Sequence, residues 1–539
     1  MRATGDFRDT PIRVFFPRGS ARILIPLLWF SASPACGQQS YIPWASGLET
    51  QADAPAIRDP RVTQTRQPPQ PAGARAPAAS APGAEDVAKP ATGAVNDGPI
   101  TYRGFATRLY EAYFGEKEQA ADEEPSHRPG MESPFDSPPF PFAEFIGPYI
   151  GYRDTSAYPL MDAIYHGPNE KWWKKSRIKI YGWAAPTYDA STSRNSNMPL
   201  AYGLIPNHIE LSQAVLIFER VTDSVQTDHL DWGFKFTNVY GTDYRFTTAK
   251  GYFSDQLLKH NRLYGYDPLQ MYVDLYVPWI GEGTIIRAGR FISPMDIEAQ
   301  LSPDNYLYTH SLMNTYDPFT LTGIQFSTRL NRQWHVLFGV HAGGDMAPWT
   351  TSSQPNGMLM LKWESRSGND SIFGGVESIG HGYFKNGHDD LQVIGMTWGH
   401  KFTSRLHTMT EAYYVWERNG LEGGTVIDGP AYPYFTHVGP GTFLPGLSDS
   451  FGIVNYLAYK TSDKSYLVFR SDCLDDPRGF RTGFPGAYFE HTLGFNYQFT
   501  PWCMTRPEIR FDYTSGQRAY DNGTRREQFT FNWDFIIRF

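Results

Sequence analysis

The stretch QFTFNWDFIIRF at residues 528–539 decides the fold, because apolar side chains alternate in it with mainly polar ones. The side chains in an extended strand point to opposite faces in turn, so one face here is entirely apolar and mostly aromatic. That face carries Phe529, Phe531, Trp533, Phe535, Ile537 and Phe539, and the opposite face is mainly polar. A transmembrane β-barrel needs this pattern, since one face meets lipid and the other meets water or polar groups.

The same alternation recurs along the chain from about residue 177. The apolar rows are Leu230, Trp232, Phe234 and Phe236; Met271, Val273, Leu275 and Val277; alternate residues of 489–499; and alternate residues of 505–513. Segments 209–219 and 391–402 have the length of strands but alternate poorly. The spacing predicts an all-β, antiparallel transmembrane barrel of about sixteen strands.

The connections between these strands alternate between short and long. Two-residue or three-residue turns are expected at 331–332, 403–404, 462–463 and 500–502. Long connections rich in Gly, Pro and Asp are expected at 186–206, 241–267, 292–320, 342–356, 418–448, 474–485 and 515–525. Bacterial barrels have short turns in the periplasm and long loops outside, which predicts an outer-membrane protein with both termini in the periplasm.

The composition agrees with a barrel and excludes some functions. Hydrophobic residues make up 41% and aromatic residues 15% of the 539 residues, as expected when every second strand residue faces lipid and aromatic rings mark two interfaces. The net charge is -8 without a basic block, so nucleic-acid binding is excluded. The three cysteines lack metal-ligand spacing, and we expect no metal, no cofactor and no disulfide between Cys473 and Cys503.

The region before the barrel has three predicted parts. Arginines followed by an apolar run and small residues predict a signal peptide over residues 1–37. Residues 38–130 are rich in Pro and Ala and predict a disordered periplasmic tether, although 101–115 has the pattern of a short amphipathic helix. Residues 131–175 are a pre-barrel segment, ending in a Lys and Trp cluster typical of a membrane interface, and 176–539 are the barrel.

Four features of the chain resemble one family. PPFPFAEF at 138–145, RIKIYGWA at 177–184, AGRFISP at 288–294 and the aromatic C-terminus resemble the OmpL-like outer-membrane porins, the β-barrel porin 2 group. The likeness covers about residues 138–539 and implies a pore in the outer membrane, with no catalytic residues to carry over. The last strand also resembles those of bacterial outer-membrane proteins, which implies that the barrel-assembly machinery reads Phe539.

The strands that alternate well predict which charged residues line the pore. These are Asp231, Lys235, Asp274, Glu490, Arg506, Glu508, Arg510 and Asp512. Opposite charges on facing walls of a water-filled pore orient dipolar solutes and bias ion selectivity. The alternative is that these groups only form salt bridges with one another.

The connection at 293–320 is the third external loop in this topology. In general porins a loop at that place folds into the lumen, so Asp296, Glu298 and Asp304 are candidates for a constriction. This is an analogy between folds, and an ordinary solvated surface loop is the alternative.

The predicted function is passive diffusion of small hydrophilic solutes or ions across the outer membrane. We expect outer-membrane lipid to surround the barrel, and the length of the chain is compatible with a homotrimer. One alternative is a structural or adhesive barrel with a plugged lumen, whose partner would bind the loop at 419–447. Another is an outer-membrane hydrolase or a cation site built from His381, His388, Asp389 and Asp390. Neither GxSxG nor HExxH occurs, so we expect no enzyme. A soluble protein of several β domains is the remaining alternative for the fold.

Overall fold

The computed structural model describes residues 103–115, 150–151, 158–200, 202–203, 205–254, 263–424 and 442–539. The predicted signal peptide, most of the predicted tether, the PPFPFAEF string and the centre of the 419–447 loop lie outside these ranges. The described part of the chain is mostly antiparallel β-sheet.

Sixteen strands follow one another along the chain. They are β1 (Ile178–Ser191), β2 (Ile209–Arg220), β3 (Asp231–Gly241), β4 (Gly265–Val277), β5 (Thr284–Ile292), β6 (Thr320–Arg329), β7 (Trp334–Gly344), β8 (Asn356–Glu364), β9 (Asp370–Ile379), β10 (Gln392–Lys401), β11 (Leu406–Arg418), β12 (Leu447–Ser462), β13 (Ser465–Asp476), β14 (Gly486–Thr500), β15 in two segments (Cys503–Thr505 and Glu508–Thr514) and β16 (Glu527–Arg538). The break in β15 falls at Pro507, which has no N–H group to donate to a neighbouring strand.

The strands form a closed barrel, which confirms the predicted fold. Each strand pairs antiparallel with its neighbours in sequence, and β16 pairs with β1 in a register from Trp183 opposite Arg538 to Ser191 opposite Thr530. The C-terminal residue belongs to this closure: Phe539 N–H donates to the carbonyl of Gly182 at 2.9 Å, and Gly182 N–H donates back at 3.2 Å. The sheet therefore has no unpaired edge at its ends.

The two faces of β16 have the predicted environments. Phe529 and Trp533 are 46% and 38% exposed on the outer surface. The polar residues between them, Gln528, Thr530, Asn532 and Asp534, are at most 1% exposed. The apolar face is thus the outside of the barrel and the polar face is its interior.

Short turns lie at one end of the barrel and long connections at the other, which we call the short-turn end and the long-loop end. The short turns at 331–332, 403–404, 462–463 and 500–502 are confirmed within one or two residues. Segments 209–219 and 391–402 form β2 and β10 despite their poor alternation. One boundary was wrong: β1 continues to Ser191, beyond the start of the long connection predicted at residue 186.

Six short helices of the described residues lie outside the sheet. They are α1 (Phe105–Phe114), α2 (Pro159–Tyr165), α3 (Glu170–Ser176), α4 (Tyr244–Thr247), α5 (Leu312–Tyr316) and α6 (Tyr520–Gly523). In the described ranges, no helix is long and apolar enough to cross a membrane. The first helix, Phe105–Phe114, lies where the sequence pattern at 101–115 predicts a short amphipathic helix.

Helix α1 contacts the short-turn end of the barrel beside its closure. Trp502 Nε1 donates to the Tyr113 carbonyl at 3.0 Å, and the two rings meet edge to face at 5.0 Å. The Tyr113 hydroxyl donates to the Arg538 carbonyl at 3.2 Å. A segment predicted to be a free tether is therefore attached to the last strand.

Candidate functional site

The connection between β5 and β6, residues 293–319, folds into the barrel, and we call it the inner loop. Met295, Ile297, Leu307, Leu312 and Met313 on this loop are each at most 4% exposed. They belong to one apolar cluster with side chains from the interior faces of β7 to β14. Because apolar side chains on both the wall and the loop are removed from water, the loop is held in place by a hydrophobic contact. It is not the solvated surface loop that sequence reasoning offered as the alternative.

Three buried arginines on the barrel wall hold the main chain of the inner loop, and we call them the arginine clamp. Arg506 Nη1 donates to the carbonyls of Ser302 at 2.7 Å and Asn305 at 2.8 Å. Arg470 donates to the carbonyl of Thr309, and Arg510 donates to that of His310. Carbonyls inside the barrel would otherwise lose hydrogen bonds on leaving water, so the clamp fixes the loop by satisfying its backbone.

Carboxylates on the wall hold the N–H groups of the same loop. Glu508 accepts from the backbone N–H of Tyr308 at 2.9 Å and of Thr309 at 3.1 Å. Asp472 accepts from the Leu312 N–H at 2.6 Å. The wall therefore offers donors to the loop carbonyls and acceptors to the loop N–H groups, an arrangement that requires both signs of charge on neighbouring strands.

Most of the predicted pore-lining charges lie in the interior as ion pairs. The pairs are Asp231 with Arg177 at 2.7 Å and Arg220 at 3.0 Å, Lys235 with Glu219 at 3.9 Å, Asp274 with Arg287 at 2.9 Å, Glu490 with Arg470 at 3.0 Å, Arg506 with Asp534 at 2.6 Å and Arg510 with Asp512 at 2.7 Å. The members of the last three pairs are at most 1% exposed. The pairs on β13 to β16 are thus covered, and their three arginines contact the loop.

The three candidate constriction residues occupy different surroundings. Glu298 accepts from the Ser311 N–H at 3.0 Å and pairs with Arg470 at 3.0 Å. Asp296 accepts from the Glu298 N–H at 2.7 Å and from the amide of Asn314. Asp304, at the end of a one-turn 3₁₀ helix (Ser302–Asp304), remains partly exposed. The first two brace the loop internally, and only Asp304 is accessible to a solute.

Burial changes the protonation of groups on the inner loop. Burial, together with the nearby carboxylates of Glu411 and Glu298, raises the pKa of Asp296 well above its usual range. Burial and the charge of Asp296 do the same to the pKa of Asp317. Burial lowers the pKa of His310 to about 4, and its Nε2 lies 2.8 Å from the Ala299 carbonyl. The imidazole is therefore neutral near pH 7 and donates from Nε2.

The interior is more accessible near β3 and β4 than near β13 to β16. Lys235 and Tyr272, opposite each other on these strands, are partly exposed. The guanidinium of Arg287 lies 3.6 Å from the centre of the Tyr272 ring. Asp304 on the inner loop is also partly exposed, and Lys235 is one of three cations, with Arg538 and Arg506, whose charge acts on its carboxylate. Lys235, Tyr272 and Asp304 are therefore a cation, an aromatic ring and an anion that each keep part of their surface exposed.

The candidate hydrolytic or cation site lies in the connection between β9 and β10. Asp389 pairs with Arg481 at 3.0 Å, and Asp390 accepts from Asn356 at 2.7 Å. His381 is exposed, and Nδ1 of His388 contacts the Asp389 carbonyl at 2.8 Å. Across the described residues, no group of three or more His, Cys, Asp or Glu side chains is placed to hold a metal ion. The structure therefore uses both carboxylates to fix the connection.

Sequence reasoning missed Arg470 and Asp472, which hold the inner loop from β13. The interior row of this strand reads Tyr466, Val468, Arg470, Asp472 and Leu474. It contains apolar residues because the loop packs against it, so it lacks the polar face expected of a water-filled barrel. The sequence signal for this contact is the pair of opposite charges, Arg470 and Asp472, between the apolar residues Val468 and Leu474.

Comparisons with known proteins agree with this architecture. The family model described as beta-barrel porin-2, OmpL-like matches residues 177–539. Solved structures include an anion-selective porin from Comamonas acidovorans, with 10% identity, TM-score 0.43, and coverage of 67% of this chain and 99% of that chain. Another is OprB from Pseudomonas putida, with 9% identity, TM-score 0.41, and coverage of 69% and 96%. A loop-deletion mutant of OmpT from Vibrio cholerae has 12% identity, TM-score 0.41, and coverage of 67% and 99%. No curated protein matches the sequence.

Proposed function

Because the chain belongs to the OmpL-like beta-barrel porin-2 family and is an outer-membrane barrel, we propose that it passes small hydrophilic solutes or ions by diffusion. The observation that carries this proposal is the position of the inner loop, which narrows the lumen from one side. Lys235, Tyr272 and Asp304 are each partly exposed, and the route is proposed to run past them.

The charges along this route suit small polar solutes. Lys235 and Asp304 offer opposite charges, and the transverse field between such groups aligns a dipolar solute as it passes. The charges on β13 to β16 have a different part in this proposal. Arg506, Glu508 and Arg510 hold the loop, and Asp512 holds Arg510. In this proposal they set the width of the route rather than touching the solute.

The orientation of the barrel is part of the same proposal. The short-turn end faces the periplasm and both termini lie there, as in other barrels with an even strand number. Phe539, bonded to Gly182 at the closure, is the group proposed to be read by the barrel-assembly machinery. A homotrimer is the proposed assembly, and lipid surrounds the rest of the outer face.

Planar-bilayer recording of the purified, folded protein tests this function. We expect discrete conductance steps that grow with salt concentration. Lys235→Gln and Asp304→Asn should shift ion selectivity in opposite directions, because one removes a cation and the other an anion from the route. The matched control is Arg177→Gln, which removes a cation from the short-turn end, where its partners are Asp223 and Asp231. A folded protein that gives no steps would contradict the proposal.

A barrel with a closed lumen is the second candidate function, and one observation favours it. Arg470, Glu490, Arg510 and Asp512 are 0% exposed, so water does not reach the interior beside β13 to β16. If the accessible region at Lys235 does not continue through the barrel, the protein is structural or adhesive. Silence in the bilayer, followed by steps when residues 297–314 are replaced by a short Gly-Ser linker, would identify this case.

A further inference from the structure

A row of polar side chains crosses the outer face of the barrel, where lipid-facing residues are expected to be apolar. Thr410 on β11, Asn455 on β12, Ser471 on β13 and His491 on β14 are directly opposite one another in register. His491 is exposed and the others are partly exposed. This polar row therefore spans four adjacent strands on the outside of the wall.

The polar row lies at mid-depth in the apolar band. Asn455 is six residues from Asp449 toward the long-loop end and eight residues from Asp463 toward the short-turn end. A tilted strand rises roughly 2.5 Å per residue along the barrel axis, so these charged levels are roughly 15 and 20 Å away. The outer residues directly above and below Asn455 are Ile453 and Leu457, which are 40% and 39% exposed. Headgroups and water do not reach this depth in a bilayer.

Some polar atoms of the row are hydrogen-bonded to one another, and others are left without a partner. The side-chain amide of Asn455 donates to the hydroxyls of Thr410 at 2.8 Å and Thr408 at 2.9 Å. The Ser471 hydroxyl lies 2.9 Å from Nδ1 of His491. Within the described part of the chain, the amide oxygen of Asn455 and Nε2 of His491 have no hydrogen-bond partner. Acyl chains offer none, and an unsatisfied polar group in hydrocarbon is costly.

An apolar groove adjoins the polar row on the side toward the long-loop end. It has a volume of about 760 Å³ and includes Ile394, Met396, Ala412 and Phe451 in its lining, with Gly374 among the small residues. Ala412 is two residues from Thr410 on the same face of β11. Small residues allow close approach between membrane segments, and polar groups beside them form hydrogen bonds across the contact.

We propose that the outer face of β10 to β14 contacts a second copy of this chain in the membrane. The row carries an unused acceptor at Asn455 and an unused ring nitrogen at His491, so one copy supplies what the other lacks. All copies insert in one orientation, which restricts their symmetry axis to the membrane normal and brings the same face of each copy to that axis. This inference rests on the homotrimer proposed above, and it names the face through which the copies meet.

Cysteine cross-linking in membranes tests which surface meets a second copy. In a background with Cys36, Cys473 and Cys503 changed to Ser, we would introduce Ser471→Cys in the row or Trp533→Cys on β16, both on the outer face. Oxidation with copper-phenanthroline should give disulfide-linked dimers of this chain from position 471 and not from position 533. A mass of one chain in mild detergent, or cross-linking only to a protein of another size, would overturn the proposal.

Asn455→Leu combined with His491→Leu tests the role of the polar row itself. Leucine suits a lipid-facing position, so the variant should fold and remain heat-modifiable on a gel. Loss of hydrogen bonds across the contact should weaken association by roughly tenfold or more, measured by sedimentation in detergent. The control is Leu457→Phe with Leu493→Phe, which keeps the neighbouring positions apolar. An unchanged association constant in the Leu variant would assign the row to lipid, and conductance per barrel should be unchanged in either variant.

Discussion

Arg470→Ala should open the lumen, because this side chain joins the inner loop to the wall at two places. Its guanidinium pairs with Glu298 on the loop at 3.0 Å and with Glu490 on β14 at 3.0 Å, and it donates to the Thr309 carbonyl. Removing one member of a buried ion pair costs about 3–5 kcal/mol, because the partner charge stays buried without compensation. Since each 1.4 kcal/mol is a factor of ten, the equilibrium for loop docking should fall by roughly two to almost four orders of magnitude.

Single-channel recording measures this effect directly. We expect a larger conductance step in Arg470→Ala than in the parent, with added current noise as the loop exchanges between docked and undocked positions. Arg290→Ala is the matched control, since this buried arginine pairs with Asp267 on the neighbouring strand rather than with the loop. If Arg470→Ala folds and conducts like the parent, or if Arg290→Ala gives the same increase, the clamp does not set the width of the route.

Three further predictions address protonation, the first helix and the closure of the barrel. The pKa of His310 is about 4 when the loop is docked and about 6.5 when it is undocked, so docking is fully stable above pH 6.5 and weakens as the pH falls toward 4. His310→Gln should remove this contribution, so the conductance of parent and variant should diverge on acidification, and parallel pH profiles would contradict the assignment. Trp502→Ala removes a hydrogen bond and an edge-to-face ring contact to Tyr113. It should therefore increase the rate of proteolysis at α1 by about tenfold, and an unchanged rate would contradict the prediction. Gly182→Val places a Cβ 1.9 Å from a backbone oxygen of β2 and should lower the heat-modifiable folded fraction, whereas a normal fraction would mean that the closure relaxes around the new side chain.

The sequence predicted the architecture well because lipid imposes a simple rule. The outer residues of β16 from Phe529 to Ile537 had to be apolar, and the alternation at 528–539 predicted the strand, its faces and the presence of a barrel. The strand number also followed, since short and long connections alternate. Boundaries were less predictable, as at β1, because hydrogen bonds to β16 extend this strand to Ser191 through residues that read as a loop.

The interior was harder to predict because its side chains are polar in some places and apolar in others. A water-filled lumen would require polar side chains throughout, but the inner loop covers part of the wall and replaces water there with apolar contacts. Residues such as Val468 beside Arg470 reflect that contact and resemble an ordinary protein core. The charged row Arg506, Glu508, Arg510 and Asp512 was predicted to face inward, as it does, but local alternation could not show that its partner would be backbone from residues 302–310.

The pairing of β1 with β16 has a consequence for biosynthesis. The two strands are more than 300 residues apart in sequence, and the last residue of the chain takes part in their contact. Closure therefore cannot begin until β16 has been synthesised, and joining such distant segments costs a loop-closure free energy of about 5 kcal/mol. Until then both strands present open edges that invite pairing with other chains. Pairing of β1 with β16 covers both edges and removes them from contact with other chains.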